Sequence, residues 1–212
     1  PNLLSYDPSF AYELAVIIRE GIRRMYTEQE DVFYYITIHN ENLAMPSMPE
    51  GCEAGIVKGG YRFRRSTTSS DRKAHLLGSG AIMTEVLRAR EILEEMDIST
   101  DVWSIPSYNE LSREALSVER KSRLEPKAAR ATPYVEQLFE GEDGVFVAAS
   151  DYMKALPLSI SRWVPGPYVV LGTDGYGLSE SRSALREHFE VIAEYIAYAA
   201  LAALRDEDRV DD

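Results

Sequence analysis

Polar side chains and glycines are concentrated in one stretch near the carboxyl end of the chain. The run from Gly172 to Gly177 reads GTDGYG and is followed by Ser181 and His188. A carboxylate and an imidazole do general acid-base chemistry only within hydrogen-bond reach of the proton that moves, and the spacing does not place Asp174 beside His188. The glycines also suit a sharp loop, with Ser181 as the cap of the next helix. We interpret the run as a loop that packs against a partner subunit or a neighbouring domain, with Asp174, Ser181 and His188 as contact candidates.

The other two histidines lie on separate segments. His39 and Glu41 begin a stretch, residues 39–51, that contains two Met-Pro pairs and ends in Glu-Gly. Proline disfavours helix in the residue before it, so this stretch indicates a crossing between two bodies. His39 and Glu41 are therefore candidates for a conformational or interface role. His75 falls in a predicted strand and is interpreted as a hydrogen-bonded core histidine. The three histidines have no spacing typical of metal ligands, so no metal site is predicted.

The turn Gly78-Ser79-Gly80 is a candidate for binding an anion. A small-residue turn between a strand and a helix can present backbone N–H groups to a phosphate. The turn lacks both the GxGxxG spacing and the Gly-Lys-Ser/Thr ending of a P-loop, so tight packing of strand on helix is the simpler interpretation. A stand-alone module that binds a nucleotide or another anion here is kept as the alternative function.

Composition restricts the class of protein. The 212 residues carry a net charge of −12 with a pI near 4.8. Nucleic-acid binding requires clustered Lys and Arg, so no nucleic acid is expected as a partner. Cys52 is the only cysteine, which excludes an internal disulfide and fits a reducing, cytoplasmic setting. No apolar run reaches the roughly 18 residues that span a bilayer, so no membrane is expected. The chain starts with Pro1, and we expect it to be part of a longer protein.

The first 38 residues predict one helix and one strand. Asp7 before Pro8 indicates a helix start, and apolar residues three and four apart predict a helix from Pro8 to about Tyr26. The β-branched and aromatic run at residues 31–38 predicts a strand covered on both faces. One helix cannot cover such a strand. We therefore expect the last αβ unit of a domain whose earlier strands lie upstream.

From residue 73 onward, predicted strands and helices alternate. Strands are predicted at residues 74–77, 101–105, 145–149 and 168–171. Helices are predicted at residues 81–96, 108–123, 133–139, 182–189 and 191–205. Ser150 and Asp151 are expected to cap a further helix, whose apolar residues are Met153, Leu156, Ile160 and Trp163. Residues 61–64 predict an edge strand, residues 65–71 a mobile polar loop, and the acidic tail 206–212 a frayed end. The pattern predicts an α/β fold with a mostly parallel sheet and helices on both faces.

Several stretches resemble one family, the homodimeric pyruvate dehydrogenase decarboxylase component, a transketolase-like enzyme that uses thiamine diphosphate. The matching stretches run in order along nearly the whole chain: Ser5 to Pro8, Ala11 to Glu13, Tyr34 to Thr37, Asn40 to Asn42, Met45 to Gly51, Leu77 to Gly80, Asp151 to Lys154, Leu171 to Gly177, Ser181-Arg182, Leu185-Arg186 and His188 to Glu190. Residues 65–71 and 120–132 carry little of the resemblance.

The resemblance implies that residues 1–45 end the pyrimidine-binding middle domain and cross into a transketolase C-terminal-like domain, residues 46–212. It implies that the parent enzyme decarboxylates pyruvate on thiamine diphosphate and magnesium and acetylates lipoyl groups. The family binds that cofactor through a Gly-Asp-Gly motif followed by asparagine, and GTDG at residues 172–175 is not that motif. We therefore expect no catalytic, cofactor or metal residue in this fragment, which would be inactive alone.

The resemblance also implies the partners. A second copy of the same subunit and the dihydrolipoyl acetyltransferase component are the expected partners of the parent enzyme. Dimerisation and domain packing are the functions expected of this part of the chain.

Overall fold

The structure is a computed structural model that describes residues 2–39, 43–127 and 129–210. Its strands form two sheets, one of two strands near the amino terminus and one of five strands. Among the described helices, none combines the length and the apolar character needed to cross a membrane.

Residues 3–36 form a βαβ unit. Strand β1 (Leu3–Tyr6) pairs in parallel with β2 (Phe33–Ile36), and helix α1 (Ala11–Ile22) with a π-helical turn (Arg23–Thr27) connects them. Strand β1 was not predicted from the sequence. The helix also begins later than Pro8, since the free N–H groups of Ser9 and Phe10 donate to Glu13 rather than to an Asp7 cap.

Within this chain β2 is not covered on both faces, and the expectation that upstream strands cover it stays a prediction. The side chains of Phe33 and Tyr35 are 52% and 62% exposed. A strand needs neighbours and helices on both sides to be fully buried, and β2 has only β1 beside it among the described residues.

The five-stranded sheet confirms the predicted fold class. Its strands are β3 (Tyr61–Arg64), β4 (Lys73–Gly78), β5 (Ser99–Ser104), β6 (Val145–Ala149) and β7 (Tyr168–Leu171). Their spatial order is β3-β5-β4-β6-β7, with β3 antiparallel at the edge and the other four parallel. The chain moves from β4 to one side and then returns to the other, so the topological switch point lies between β4 and β6.

Helices cover both faces of this sheet. The remaining α-helices are α2 (Glu53–Lys58), α3 (Met83–Glu95), α4 (Tyr108–Leu124), α5 (Tyr134–Leu138), α6 (Ala155–Leu158), α7 (Arg182–His188) and α8 (Ala193–Asp206). Side chains of α3 and α8 share one buried cluster with the sheet, while those of α4 and α5 share a second cluster with the other face.

Two helix predictions need correction. No continuous helix follows Ser150 and Asp151; α6 is one turn long and a short 3₁₀ turn (Ser161–Trp163) follows it. Met153, which was expected on the apolar face, is 60% exposed. Proline near the start of such a segment removes a backbone donor, and Pro157 lies within α6. Met96, the last residue of the helix predicted at 81–96, lies beyond the end of α3 and is exposed.

The polar loop at residues 65–71 is bonded to the body of the protein. Ser66 and Thr67 donate hydrogen bonds to the Glu94 carboxylate. The mobility expected of this loop stays a prediction.

The βαβ unit packs directly on the five-stranded sheet. Leu4, Phe10 and Ile17 belong to the same buried cluster as residues of β4, β6 and α8. Backbone bonds also join the two parts, because the Asp7 amide donates to the Pro106 carbonyl at 2.7 Å and the Gly80 amide donates to the Asp7 carbonyl at 3.1 Å.

Candidate functional site

The carboxyl ends of parallel strands from both sheets meet at one boundary. In open α/β sheets, ligands bind outside the carboxyl ends of the strands, near the switch point. The residues that follow β2, β6 and β7 line one cavity of about 630 Å³, which Ile38, Asp151 and Thr173 help to form. This cavity is the candidate functional site.

Basic side chains of α7 form part of the cavity wall. Arg182 and Arg186 lie one helical turn apart and both line the cavity, together with His39. The Arg186 guanidinium lies 3.6 Å from the Glu85 carboxylate, which also accepts the Ala193 amide at 3.2 Å. Glu85 therefore fixes Arg186 against α3.

Asp151 supplies the carboxylate of this cavity. Desolvation by the surrounding protein raises the pKa of its carboxyl above the ordinary range, Arg186 opposes that rise, and Asp7 adds to it. A neighbouring arginine favours the ionised form of an aspartate, whereas burial favours its protonated form. The arrangement suits recognition of a polar group, and it contains no nucleophile paired with a base among the described residues.

The predicted contact residues are distributed around the cavity rather than gathered within it. Asp174 accepts the Lys154 amide at 3.0 Å and lies near its ammonium group. Ser181 caps α7 by accepting the Ala184 amide, as expected. His188 packs edge-on against Phe189. Among the described residues, Asp174 and His188 make no ion pair, so the proton-transfer pair considered from the sequence is not formed.

Of the two candidates in the crossing segment, His39 lines the cavity and is exposed. Glu41 lies outside the described residues. The interface roles of both residues stay predictions.

The turn Gly78-Ser79-Gly80 already contacts an internal anion. Ser79 donates its hydroxyl to the Asp7 carboxylate at 2.9 Å. Gly80 has φ of +51°, and a Cβ at this position would lie 2.4 Å from the same carboxylate. The side chain of Asp7 therefore occupies the position where the alternative function would place a nucleotide or phosphate.

A buried carboxylate joins the two parts of the chain. Glu13 is fully buried and accepts the Tyr61 hydroxyl at 2.7 Å, the Ser104 hydroxyl, and the amides of Ser9 and Phe10. Burial raises the pKa of the Glu13 carboxyl, and these hydrogen bonds oppose the rise. Tyr12 lies 2.7 Å from the Tyr61 hydroxyl, and because Tyr61 donates to Glu13, Tyr12 must donate to Tyr61.

His75 is a hydrogen-bonded core histidine, as the sequence indicated. Its Nδ1 accepts the Trp103 indole N–H at 3.3 Å, so its Nε2 donates to the Asp143 carbonyl at 3.0 Å. Burial lowers its pKa. The side chains of His75, Asp101 and Glu142 lie close enough together to share a metal ion. Arg62, however, forms ion pairs with both carboxylates. The guanidinium supplies the positive charge that a metal would bring.

Sequence reasoning missed Asp7, Glu13 and the arginines of α7. The spacing of Arg182 and Arg186 was available as a signal, since residues four apart share a helix face. Asp7 and Glu13 carried no such signal, because their partners lie far away in sequence.

Two family models together match nearly the whole chain. The Pyruvate dehydrogenase E1 component middle domain matches residues 1–46. The Transketolase-like TK C-terminal domain matches residues 59–192. This chain belongs to the transketolase-like C-terminal domain family.

Curated relatives of this family member confirm the resemblance found in the sequence. The pyruvate dehydrogenase E1 component of Pseudomonas aeruginosa is 48% identical over 213 residues, covering 100% of this chain and 24% of that protein. The pyruvate dehydrogenase E1 components of Escherichia coli and Mycobacterium tuberculosis are 46% and 40% identical, each covering 100% of this chain. The chain spans about a quarter of the length of these relatives.

Solved transketolases share the fold of this family member. Transketolase from Leishmania mexicana superposes with a TM-score of 0.65 at 14% identity, covering 97% of this chain and 26% of that one. Transketolase from Pichia stipitis, in complex with sedoheptulose-7-phosphate, gives a TM-score of 0.64 at 16% identity, covering 100% of this chain and 26% of that one. At this identity the likeness concerns the fold alone.

Proposed function

We propose that this chain is the C-terminal part of a pyruvate dehydrogenase E1 component. Residues 1–45 would end the middle domain, and residues 46–212 would form the C-terminal domain. The observation that carries the proposal is identity of 40–48% with pyruvate dehydrogenase E1 components along the entire chain. The parent enzyme would decarboxylate pyruvate on thiamine diphosphate in the cytoplasm and pass the two-carbon unit to a lipoyl group of its acetyltransferase partner.

We infer that this chain does not itself bind thiamine diphosphate and magnesium. Asp174, in the run that most resembles a diphosphate motif, already accepts the Lys154 amide. The carboxylates near His75 are paired with Arg62. In our proposal the cofactor is therefore bound elsewhere in the parent enzyme, and this part contributes domain packing and subunit contacts.

Calorimetry with thiamine diphosphate and magnesium tests the cofactor assignment. We expect no binding to this chain, and binding to the full-length parent enzyme under the same conditions. Binding to this chain in the low micromolar range would show that the assignment is wrong. A turnover assay with pyruvate on both proteins tests the inactivity of the fragment.

The loop after β7 is the part of the surface that we assign to subunit contact. Tyr176 and Leu178 are 92% and 51% exposed, and burying such side chains is favourable in an interface. The serine variants Tyr176→Ser and Leu178→Ser should weaken the parent dimer in sedimentation experiments. Leu124→Ser is the matched control, because Leu124 is 62% exposed at the far end of α4. Equal dimer affinity in the loop variants and the control would contradict this assignment.

A further inference from the structure

A second, smaller cavity lies where β1, β2, β4 and β5 end. It has a volume of about 280 Å³ and is separate in its lining residues from the larger cavity described above. Four tyrosines and one carboxylate contribute to its wall: Tyr6, Tyr35, Tyr108, Tyr152 and Asp7. Among the described residues, no lysine, arginine or histidine lines it. The wall is therefore aromatic with a single ionisable acid.

Asp7 is held in place and keeps the capacity to accept more hydrogen bonds. Its two carboxylate oxygens accept the hydroxyls of Thr37 and Ser79, one each. An ionised carboxylate has about four lone-pair positions, so two hydroxyl donors leave acceptor capacity at both oxygens.

The negative charge of Asp7 raises the pKa of two tyrosines that line the cavity. Burial raises the pKa of the Tyr152 hydroxyl, and the charge of Asp7 adds to this rise. The same two causes raise the pKa of Tyr108, and the neighbouring Tyr168 opposes this rise. An aromatic wall around an acid attracts positive charge in two ways, since the faces of tyrosine rings also carry negative potential.

We propose that this cavity binds an organic cation, an ammonium or guanidinium group, with Asp7 as its counter-ion and tyrosine rings around its apolar body. Aromatic cages of this kind recognise quaternary ammonium groups in other proteins. The position agrees with the rule that α/β sheets bind ligands at the carboxyl ends of their strands. The cation is either a free amine or a Lys or Arg side chain of another polypeptide segment, because both present the same group.

Calorimetric titration of this chain with benzylammonium and tetramethylammonium tests the proposal. Benzyl alcohol is the neutral control, because it has nearly the same shape as benzylammonium without the charge. We expect both cations to bind and the alcohol to bind at least about tenfold more weakly, as for charge-assisted contacts. Equal affinity for the alcohol, or no binding of either cation at millimolar concentration, overturns the proposal.

Variants of the wall locate the binding. Asp7→Asn retains the shape of the side chain and should weaken benzylammonium binding about tenfold or more. Asp71→Asn is the control, because Asp71 is exposed and precedes the amino end of β4, whereas the cavity lies at the carboxyl end of that strand. Tyr35→Ala and Tyr152→Leu alter exposed side chains and test the cage even if Asp7→Asn disturbs folding; each should weaken binding severalfold. Unchanged affinity in both tyrosine variants overturns the proposal.

The same titration of the full-length parent enzyme distinguishes the two sources of the cation. Binding that persists at similar affinity identifies a free amine as the ligand. Binding that is lost in the longer protein but present in this chain identifies a side chain of the longer protein as the occupant.

Discussion

Glu13 has a structural role that depends on several residues at once. Its carboxylate lies in α1 of the βαβ unit, whereas Tyr61 and Ser104 belong to β3 and β5 of the larger sheet. Every polar contact of a buried carboxylate matters, because an unsatisfied donor in the interior costs about 1–3 kcal/mol. Glu13 is therefore a point at which the two parts of the chain are held together.

The variant Glu13→Gln should lower the free energy of unfolding by about 1–3 kcal/mol, because an amide offers only one acceptor oxygen to these donors. Chemical denaturation of both proteins measures the change. Glu140→Gln is the control at an exposed position, with an expected change within about 0.5 kcal/mol. A Glu13→Gln protein as stable as the parent chain would contradict the role given to this carboxylate.

The pH dependence of stability should also differ between these two proteins. Burial raises the pKa of Glu13 in the folded state, so the folded protein holds a proton more tightly than the unfolded chain, whose glutamates titrate near about 4.3. The stability contribution of Glu13 is therefore largest below that pH and falls as pH rises toward its folded pKa. As pH rises through this window, we expect the free energy of unfolding of the native chain to fall more than that of Glu13→Gln. If the difference in free energy between the two proteins does not change with pH, this expectation is wrong.

At the scale of elements, the start of α4 is the point where β1, α2 and the larger sheet meet. Ser107 accepts the Glu110 amide at 3.1 Å as the helix cap and donates its hydroxyl to the Ser5 carbonyl at 2.6 Å. Asn109 and Arg113, on the same helix, donate to Ser5 and Leu3. One helix terminus therefore fixes the position of β1.

The variant Ser107→Ala should cost about 1–2 kcal/mol, because it removes a cap and leaves the Ser5 carbonyl without this donor. Ser181→Ala is the matched control, since Ser181 caps the short, exposed α7 with a longer bond of 3.4 Å. We expect the control to cost less than about 1 kcal/mol. Thermal unfolding of both variants measures the difference, and equal losses would speak against the connecting role of Ser107.

A substitution at Gly59 tests whether the end of α2 lies as close to the start of α4 as the structure shows. It has φ of +102°, and an added Cβ would lie 2.3 Å from the Ser107 carbonyl oxygen. Gly51 has φ of +73° with nothing within 4 Å of the added Cβ. Gly51→Ala should therefore cost about 1–2 kcal/mol from the left-handed backbone alone, and Gly59→Ala about 3 kcal/mol or more, since backbone must move as well. Similar denaturation midpoints for the two variants would show that the close approach is absent.

At the scale of the whole molecule, one buried cluster contains residues of both the βαβ unit and the five-stranded sheet. Leu4, Phe10 and Val16 belong to the same buried cluster as Val147 and Ile196. By contrast, the outer side of the βαβ unit exposes Ile22, Tyr26 and Phe33 among other apolar side chains. This exposure is the surface that upstream strands of the parent domain would cover in the proposed function.

We expect the intact chain to unfold in a single cooperative transition, since the βαβ unit and the five-stranded sheet share this core. A version that lacks residues 1–46 should unfold at a lower temperature, because it exposes the cluster around Ile56 and Phe63. Calorimetry of both versions checks this. Two separate transitions in the intact chain would show that the βαβ unit is an independent body.

Short-range patterns determined most of the architecture. The strand predicted at residues 145–149 matches β6, and the helix predicted at residues 108–123 matches α4 to within one residue. Motifs spread along the chain also determined the family. These features depend on residues that are near one another in the chain, and for this reason the sequence alone was sufficient to predict them.

Contacts between distant residues were decided only by the tertiary structure. Glu13 meets Tyr61 and Ser104 across 48 and 91 residues, and Asp7 meets Ser79 across 72 residues. Asp7 carries the sequence signature of a helix cap, yet the parallel strands bring their carboxyl ends together and place it against the glycine turn. The sequence by itself therefore determined the elements and their family, while the folding of two sheets against each other decided which side chains share a cavity.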